Sequence, residues 1–197
     1  MCLSGLGGLS PQSLGEVPWQ KFFDAADGMV RDLGQDGVKV ELRIETVELG
    51  KLIVSETGPA SAPDGSAISS YTVQANGSLA AVSQSVPTDG TANCWNAITP
   101  DGTHVYVSNA GSSNIAGFTI GAGGTLTPIA GTIVGSNPDG STNLDIAISG
   151  DGKFLYSLNG EVGTVGVFAI QPNGTLEQVT QIPGLPAAAG FNGIAAL

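Results

Sequence analysis

The chain has little charge, few basic side chains and almost no sulfur. Charged residues make up 12% of its 197 positions, about half the usual share. Lys and Arg number 6 against 17 Asp and Glu, a formal net charge of −11. A nucleic-acid surface needs clustered Lys and Arg to displace counterions, so that class of partner is excluded. An anionic membrane surface is disfavoured for the same reason. No apolar run approaches the roughly 18 residues of a membrane span. The start, residues 1–18, has neither a basic stretch nor a sustained apolar one, so it does not read as a secretory leader. Two cysteines, Cys2 and Cys94, make neither a disulfide framework nor a metal-ligand spacing. A cytoplasmic location is the expectation, with no metal and no cofactor.

Glycine is plentiful, at 30 residues beside 11 prolines, and hydrophobic residues make up 41%. That is too apolar for disorder and too Gly-rich for a helical bundle. It points to short strands joined by tight turns.

The basic residues are unevenly placed. Lys21, Arg31, Lys39, Arg43 and Lys51 precede position 52, and Lys153 alone follows it. This break suggests a boundary near Gly50, with 1–49 as a helix-plus-strand segment and 50–197 as a second unit. In the first, Trp19, Phe22, Phe23, Ala26, Met29, Val30 and Leu33 recur at helical spacing. A turn at 34–37 follows. Residues 38–44 then alternate apolar and charged, the pattern of a half-buried strand.

The second unit repeats. GKLIVSET (50–57), GTHVYVSN (102–109) and GKFLYSLN (152–159) are one strand type. SAISSYTV (66–73), SNIAGFTI (113–120) and GTVGVFAI (163–170) are the next. A turn and a further strand follow each. Tyr71, Phe118 and Phe168 fall at equivalent places. CWNAITPDG (94–102) and LDIAISGDG (144–152) add a preceding strand to two copies. Asp-Gly, Asn-Gly and Gly-Gly dipeptides accept the positive φ of tight hairpins. Four short strands recurring every ~40–50 residues are a propeller blade. The expected fold is mainly β: a partial propeller of about three four-stranded antiparallel blades, near 50–92, 93–142 and 143–190. Residues 191–197 would start a further strand.

The run from GKLIVSETG through ANCWNAITPDGTHVYVSNAGSSNIAGFTI to SGDGKFLYSLNGEVGTVGVFAI resembles the lactonase family of β-propellers, which includes 6-phosphogluconolactonase-like and carboxymuconate-cyclase-like proteins. The resemblance implies seven blades and hydrolysis or formation of a lactone ring on a small sugar acid or dicarboxylate. Propellers close with typically four to eight blades. Three leave two blade faces open, so the chain reads as a piece of a longer propeller, or as one that self-associates through those faces. A non-catalytic binding or assembly module is the alternative function.

Lactone hydrolysis needs a group to activate water and one to stabilise the oxyanion. Glu56 ends a strand where the later copies carry Asn109 and Asn159; it is a candidate base, or a strand-end carboxylate bonded to a loop. Trp95, with its neighbour Asn96, opens an inner strand, and Asp145 is its counterpart in the next copy. Inner strands line a propeller's channel, so Trp95, Asn96, Asn109 and Asn159 are candidate ligand contacts and Asp145 a second candidate catalyst. Trp packing between blades and Asp capping of backbone N–H groups explain the same residues structurally. His104 follows a turn at an outward position and reads as structural. Asp101 and Asp151 recur because the turn recurs. Asn76 and Asn173 lie in N-x-S/T sequons that the hairpins explain. No arginine follows Arg43, and no nucleophile stands beside a base in the sequence.

Overall fold

The computed structural model describes residues 40–41, 50–58, 64–74 and 76–196. The helix expected within 19–33, the turn at 34–37 and Cys2 lie outside them. Three antiparallel sheets follow one another along the chain. The first holds β1 (Val40–Glu41), β2 (Lys51–Glu56), β3 (Ala67–Val73) and β4 (Leu79–Pro87). The second holds β5 (Asn93–Ile98), β6 (His104–Asn109), β7 (Asn114–Ile120) and β8 (Leu126–Ser136). The third holds β9 (Asn143–Ile148), β10 (Phe154–Asn159), β11 (Thr164–Ile170) and β12 (Leu176–Pro183). Each is a meander in chain order, as expected of blades.

The first sheet is fuller than its sequence repeat suggests. β1 pairs with β2 in the register Val40↔Glu56 and Glu41↔Ser55. The expected boundary at Gly50 therefore falls between two strands of one sheet. The pairing covers the last two residues of β2, whose N–H and C=O groups would otherwise stand at a bare edge.

Registers confirm the repeat. Leu52, Val105 and Leu155 face Tyr71, Phe118 and Phe168 across the second and third strands. The hairpin linking the first two strands is built the same way twice. Asp101 Oδ1 accepts from Thr99 Oγ1 at 2.6 Å and from the N–H of Thr103 at 3.0 Å. Asp151 Oδ1 accepts from Ser149 Oγ at 2.7 Å and from the N–H of Lys153 at 3.1 Å. Gly102 and Gly152 follow at φ 70° and 71°, a conformation that costs glycine nothing.

Alternation along each strand gives every blade two apolar faces. Ile53 and Ile68 of the first blade meet Val105, Val107, Ala116, Phe118 and Leu126 of the second. Its opposite face sends Ala97, Tyr106, Ile115 and Ile129 against Ile146, Leu155 and Phe168 of the third. Full burial of such a side chain contributes about 1.5–3 kcal/mol, so the two seams hold the blades together. β2 packs on β5 and β5 on β9; the first two strands of each blade form the inner side, and β4 and β12 are largely exposed.

Candidate functional site

Antiparallel strands sort the connections into two ends. Hairpins 99–103, 121–125, 149–153 and 171–175 lie at one end. Residues 57–58 and 64–66, connections 110–113 and 160–163, and the blade-to-blade segments 88–92 and 137–142 lie at the other. All six candidate residues lie at or near this second end.

Glu56, Asn109 and Asn159 are the last residues of β2, β6 and β10, and pair with Ala67, Asn114 and Thr164 in one register. Their equivalence, inferred from sequence, holds. Each is buried and ties its strand to neighbours. The Glu56 carboxylate accepts from Ser69 Oγ on one oxygen and from Ser85 Oγ at 2.7 Å on the other. Ser85 is exposed, sits at an irregularity of β4 and has φ 45°. Asn109 Nδ2 donates to Asn114 Oδ1 at 2.8 Å, and Asn109 Oδ1 accepts from Thr88 Oγ1 at 3.0 Å. Asn159 Nδ2 donates to Thr164 Oγ1 at 3.2 Å.

Trp95 and Asp145 also occupy one register position, opposite Ser108 and Leu158. Asp145 is 3% exposed. Its Oδ1 accepts the N–H of Ile146 at 2.8 Å and its Oδ2 that of Ile194 at 3.1 Å. Asn96 Nδ2 donates to Ser55 Oγ of the first blade at 3.0 Å. Glu56 is held within the first blade and Asp145 within the third, with the second between them.

Two residues at this end escape the sequence reading. Asn93 and Asn143 start β5 and β9 and are wholly buried. Asn93 Nδ2 donates to Ala67 O at 2.7 Å, and Asn143 Nδ2 to Asn114 O at 3.0 Å and to Ser108 Oγ at 2.6 Å. Each clips a blade to the blade before it. The signal was present: an Asn stands two residues before both Trp95 and Asp145.

The hairpin end is chemically different. A cavity of about 330 Å³ opens between the second and third blades, lined by Asp101, His104, Asp151, Gln171 and two prolines. His104 Nδ1 lies 2.8 Å from Thr103 Oγ1, and its ring stacks on Tyr106 with centroids 6.4 Å apart. The Tyr106 hydroxyl donates to Gly174 O at 2.9 Å; burial, helped by Asp101, pushes its pKa up to about 12. The Thr99 hydroxyl lowers the pKa of Asp101. Ser149 and then Lys153 lower that of Asp151 to about 2. His104 thus sits at the seam between the second and third blades. No group of three or more metal-ligating side chains occurs among the described residues. No described helix is long and apolar enough to cross a membrane.

The family model for the lactonase, seven-bladed β-propeller, matches residues 67–185, more than half of the chain. A functionally unknown protein from Desulfotomaculum acetoxidans is 23% identical, with a TM-score of 0.60 over 75% of this chain and 43% of that one. The periplasmic gluconolactonase of Pseudomonas aeruginosa is 25% identical, with a TM-score of 0.52 over 72% and 41%. A Bacteroides fragilis protein described as a 6-phosphogluconolactonase is 20% identical, with a TM-score of 0.56 over 73% and 43%. This chain therefore spans less than half the length of these three solved structures. No curated relative matches it.

Proposed function

Because this chain belongs to the lactonase family of seven-bladed β-propellers, we propose that it hydrolyses or forms a lactone ring on a small sugar acid or dicarboxylate. One observation carries the reading beyond the family. Two buried carboxylates, an inner-strand tryptophan and three buried asparagines share the end formed by the blade connections.

In hydrolysis, a carboxylate takes a proton from water as its oxygen attacks the ring carbonyl carbon. The ring C–O bond then breaks and the departing alkoxide takes a proton back, leaving a hydroxy acid. Glu56 and Asp145 are the groups that can hold that proton. Asn109 Nδ2 donates to both Asn114 Oδ1 and Thr88 O, so of Asn109 and Asn159 it is Asn159 whose amide N–H is of the kind that stabilises the oxyanion. Trp95 supplies an apolar face for the ring. General acid–base help of this kind gives about 10²–10⁴-fold.

The test is lactone hydrolysis followed by pH-stat with gluconolactone, corrected for the buffer rate. The full chain should exceed buffer, and Glu56→Gln or Asp145→Asn should remove most of the excess. No rate above buffer, or a rate untouched by both substitutions, sinks the catalytic reading.

One observation favours a second reading, a non-catalytic blade module. Both oxygens of Glu56 and both of Asp145 already accept hydrogen bonds from the protein. On that reading the same two substitutions lower stability and no lactone turns over.

A further inference from the structure

Both oxygens of the Glu56 carboxylate accept from serine hydroxyls, one on β3 and one on β4 of the same blade. The two donors differ. Ser69 is 1% exposed; its Oγ donates to one oxygen of Glu56 and accepts the Ser85 N–H at 2.8 Å. Ser85 is exposed, and its Oγ donates to the other oxygen at 2.7 Å. A reagent arriving from solvent therefore meets the Ser85 hydroxyl before the buried carboxylate. The proton that Glu56 is placed to take is that of Ser85.

Backbone geometry presents this hydroxyl. Ser70 pairs with Ser83 and Ile68 with Val86, so Gln84 and Ser85 both stand opposite Ser69. A bulge of this kind re-aims a side chain, and bulges gather next to active sites. Ser85 has φ 45°, a region uncommon for residues other than Gly. Such conformations cluster where a side chain is held for function.

Blade architecture does not require the arrangement. Register puts Asn109, Ala116 and Val134 of the second blade at the positions of Glu56, Ser69 and Ser85, and Asn159, Gly166 and Gln181 of the third. Neither Val134 nor Gln181 has a positive φ. The first blade alone combines a hydroxyl, a carboxylate beside it and a second group that orients the carboxylate. That is the mutual geometry of an activated nucleophile.

We propose that Ser85 is a nucleophile with Glu56 as its base and Ser69 as the group that positions the base, so that acyl transfer runs through an acyl-serine; this rests on the role of Glu56 as proton acceptor given above. Ser85 Oγ bonds to the carbonyl carbon of a lactone or ester as its proton passes to Glu56. The ring or ester C–O bond breaks, and the departing alkoxide takes that proton. Water then cleaves the acyl-serine, releasing the acid and returning a proton to Ser85 Oγ through Glu56.

The test is labelling of the full chain by a fluorophosphonate, in which the serine oxygen displaces fluoride at phosphorus and the adduct persists. Peptide mass spectrometry should find the label on Ser85 and not on Ser78, an exposed serine whose hydroxyl bonds an amide oxygen instead. Glu56→Gln should slow labelling about 10²-fold or more, the effect of a lost general base. Ser69→Ala, which keeps the carboxylate but loosens it, should slow it by less, and it tests the same point if the Gln variant does not fold. Ser85→Gly, which suits the positive φ, should end labelling with the circular dichroism spectrum unchanged. No label on Ser85, equal labelling of Ser78, or a rate that neither Glu56→Gln nor Ser69→Ala changes overturns the proposal. Gluconolactone hydrolysis that persists in Ser85→Gly also overturns it, and leaves direct attack by water standing. Labelled Ser85 without gluconolactone hydrolysis supports the nucleophile and removes the lactone as substrate.

Discussion

The carboxylate of Asp145 accepts the backbone N–H of Ile194 at 3.1 Å, across 49 residues of chain. It thereby fastens the segment after the third blade to the start of that blade's inner strand. Replacing Asp145 by Ala leaves the N–H groups of Ile146 and Ile194 without this acceptor. The expected cost is about 1–3 kcal/mol. Amide exchange at Ile194 should quicken while β2–β4 keep their protection; hydrogen exchange by NMR reads both.

The asparagine clips make a second prediction. Asn143→Ala removes two hydrogen bonds that cross the seam between the second and third blades. It should lower stability by about 1–3 kcal/mol, seen as a lower denaturation midpoint at unchanged slope. Asn76→Ala, whose side chain bonds only within its own exposed turn, should stay within about 0.5 kcal/mol of wild type.

Acid should loosen the hairpin turns. The folded state depresses the pKa of Asp151 to about 2 and lowers that of Asp101, in both cases chiefly through a neighbouring hydroxyl. A depressed carboxylate stabilises the fold above its unfolded pKa of about 3.9. That contribution fades as pH falls through the folded value. Carboxyl carbon NMR should place the Asp151 midpoint near 2. A midpoint close to 3.9 would show that the Ser149 and Lys153 contacts do not persist in solution.

Alkali should act at Tyr106. Its pKa is pushed up to about 12 by burial, so the folded chain holds the phenol proton where an unfolded chain would lose it. The stability this carries is complete below about pH 10 and is lost as pH rises towards 12. Absorbance at the tyrosinate band should show one residue ionising only as the fold melts. Tyr106→Phe should shift the alkaline melting transition upward.

The blades were legible because three independent signals repeat together: strand spacing, turn dipeptides and the aromatic of the third strand. Tyr71, Phe118 and Phe168 fall in one register for that reason. The place of residues 40–41 was not legible. Their alternation identifies a strand, but pairing with β2 is a long-range choice that local pattern does not encode. For the candidate site, sequence located one end of the sheets and matched Glu56 with Asn109 and Asn159. It could not show that Ser69 and Ser85 converge on Glu56, since those hydroxyls come from β3 and β4 and meet it through bulges. Nor could it show that Asn93 and Asn143 bridge blades, because their acceptors lie 26 and 29 residues away.

The proposed placement of a site at the end formed by the blade connections can be tested directly. Titration of the isotope-labelled full chain with gluconolactone and with its hydroxy acid, followed by amide and indole NMR shifts, reports where a ligand lands. The account predicts saturable shifts at Trp95, Asn96, Asn109, Asp145 and Asn159, with the hairpins around Asp101, His104 and Asp151 unmoved. Shifts confined to the His104 cavity, or none with either compound, would contradict it.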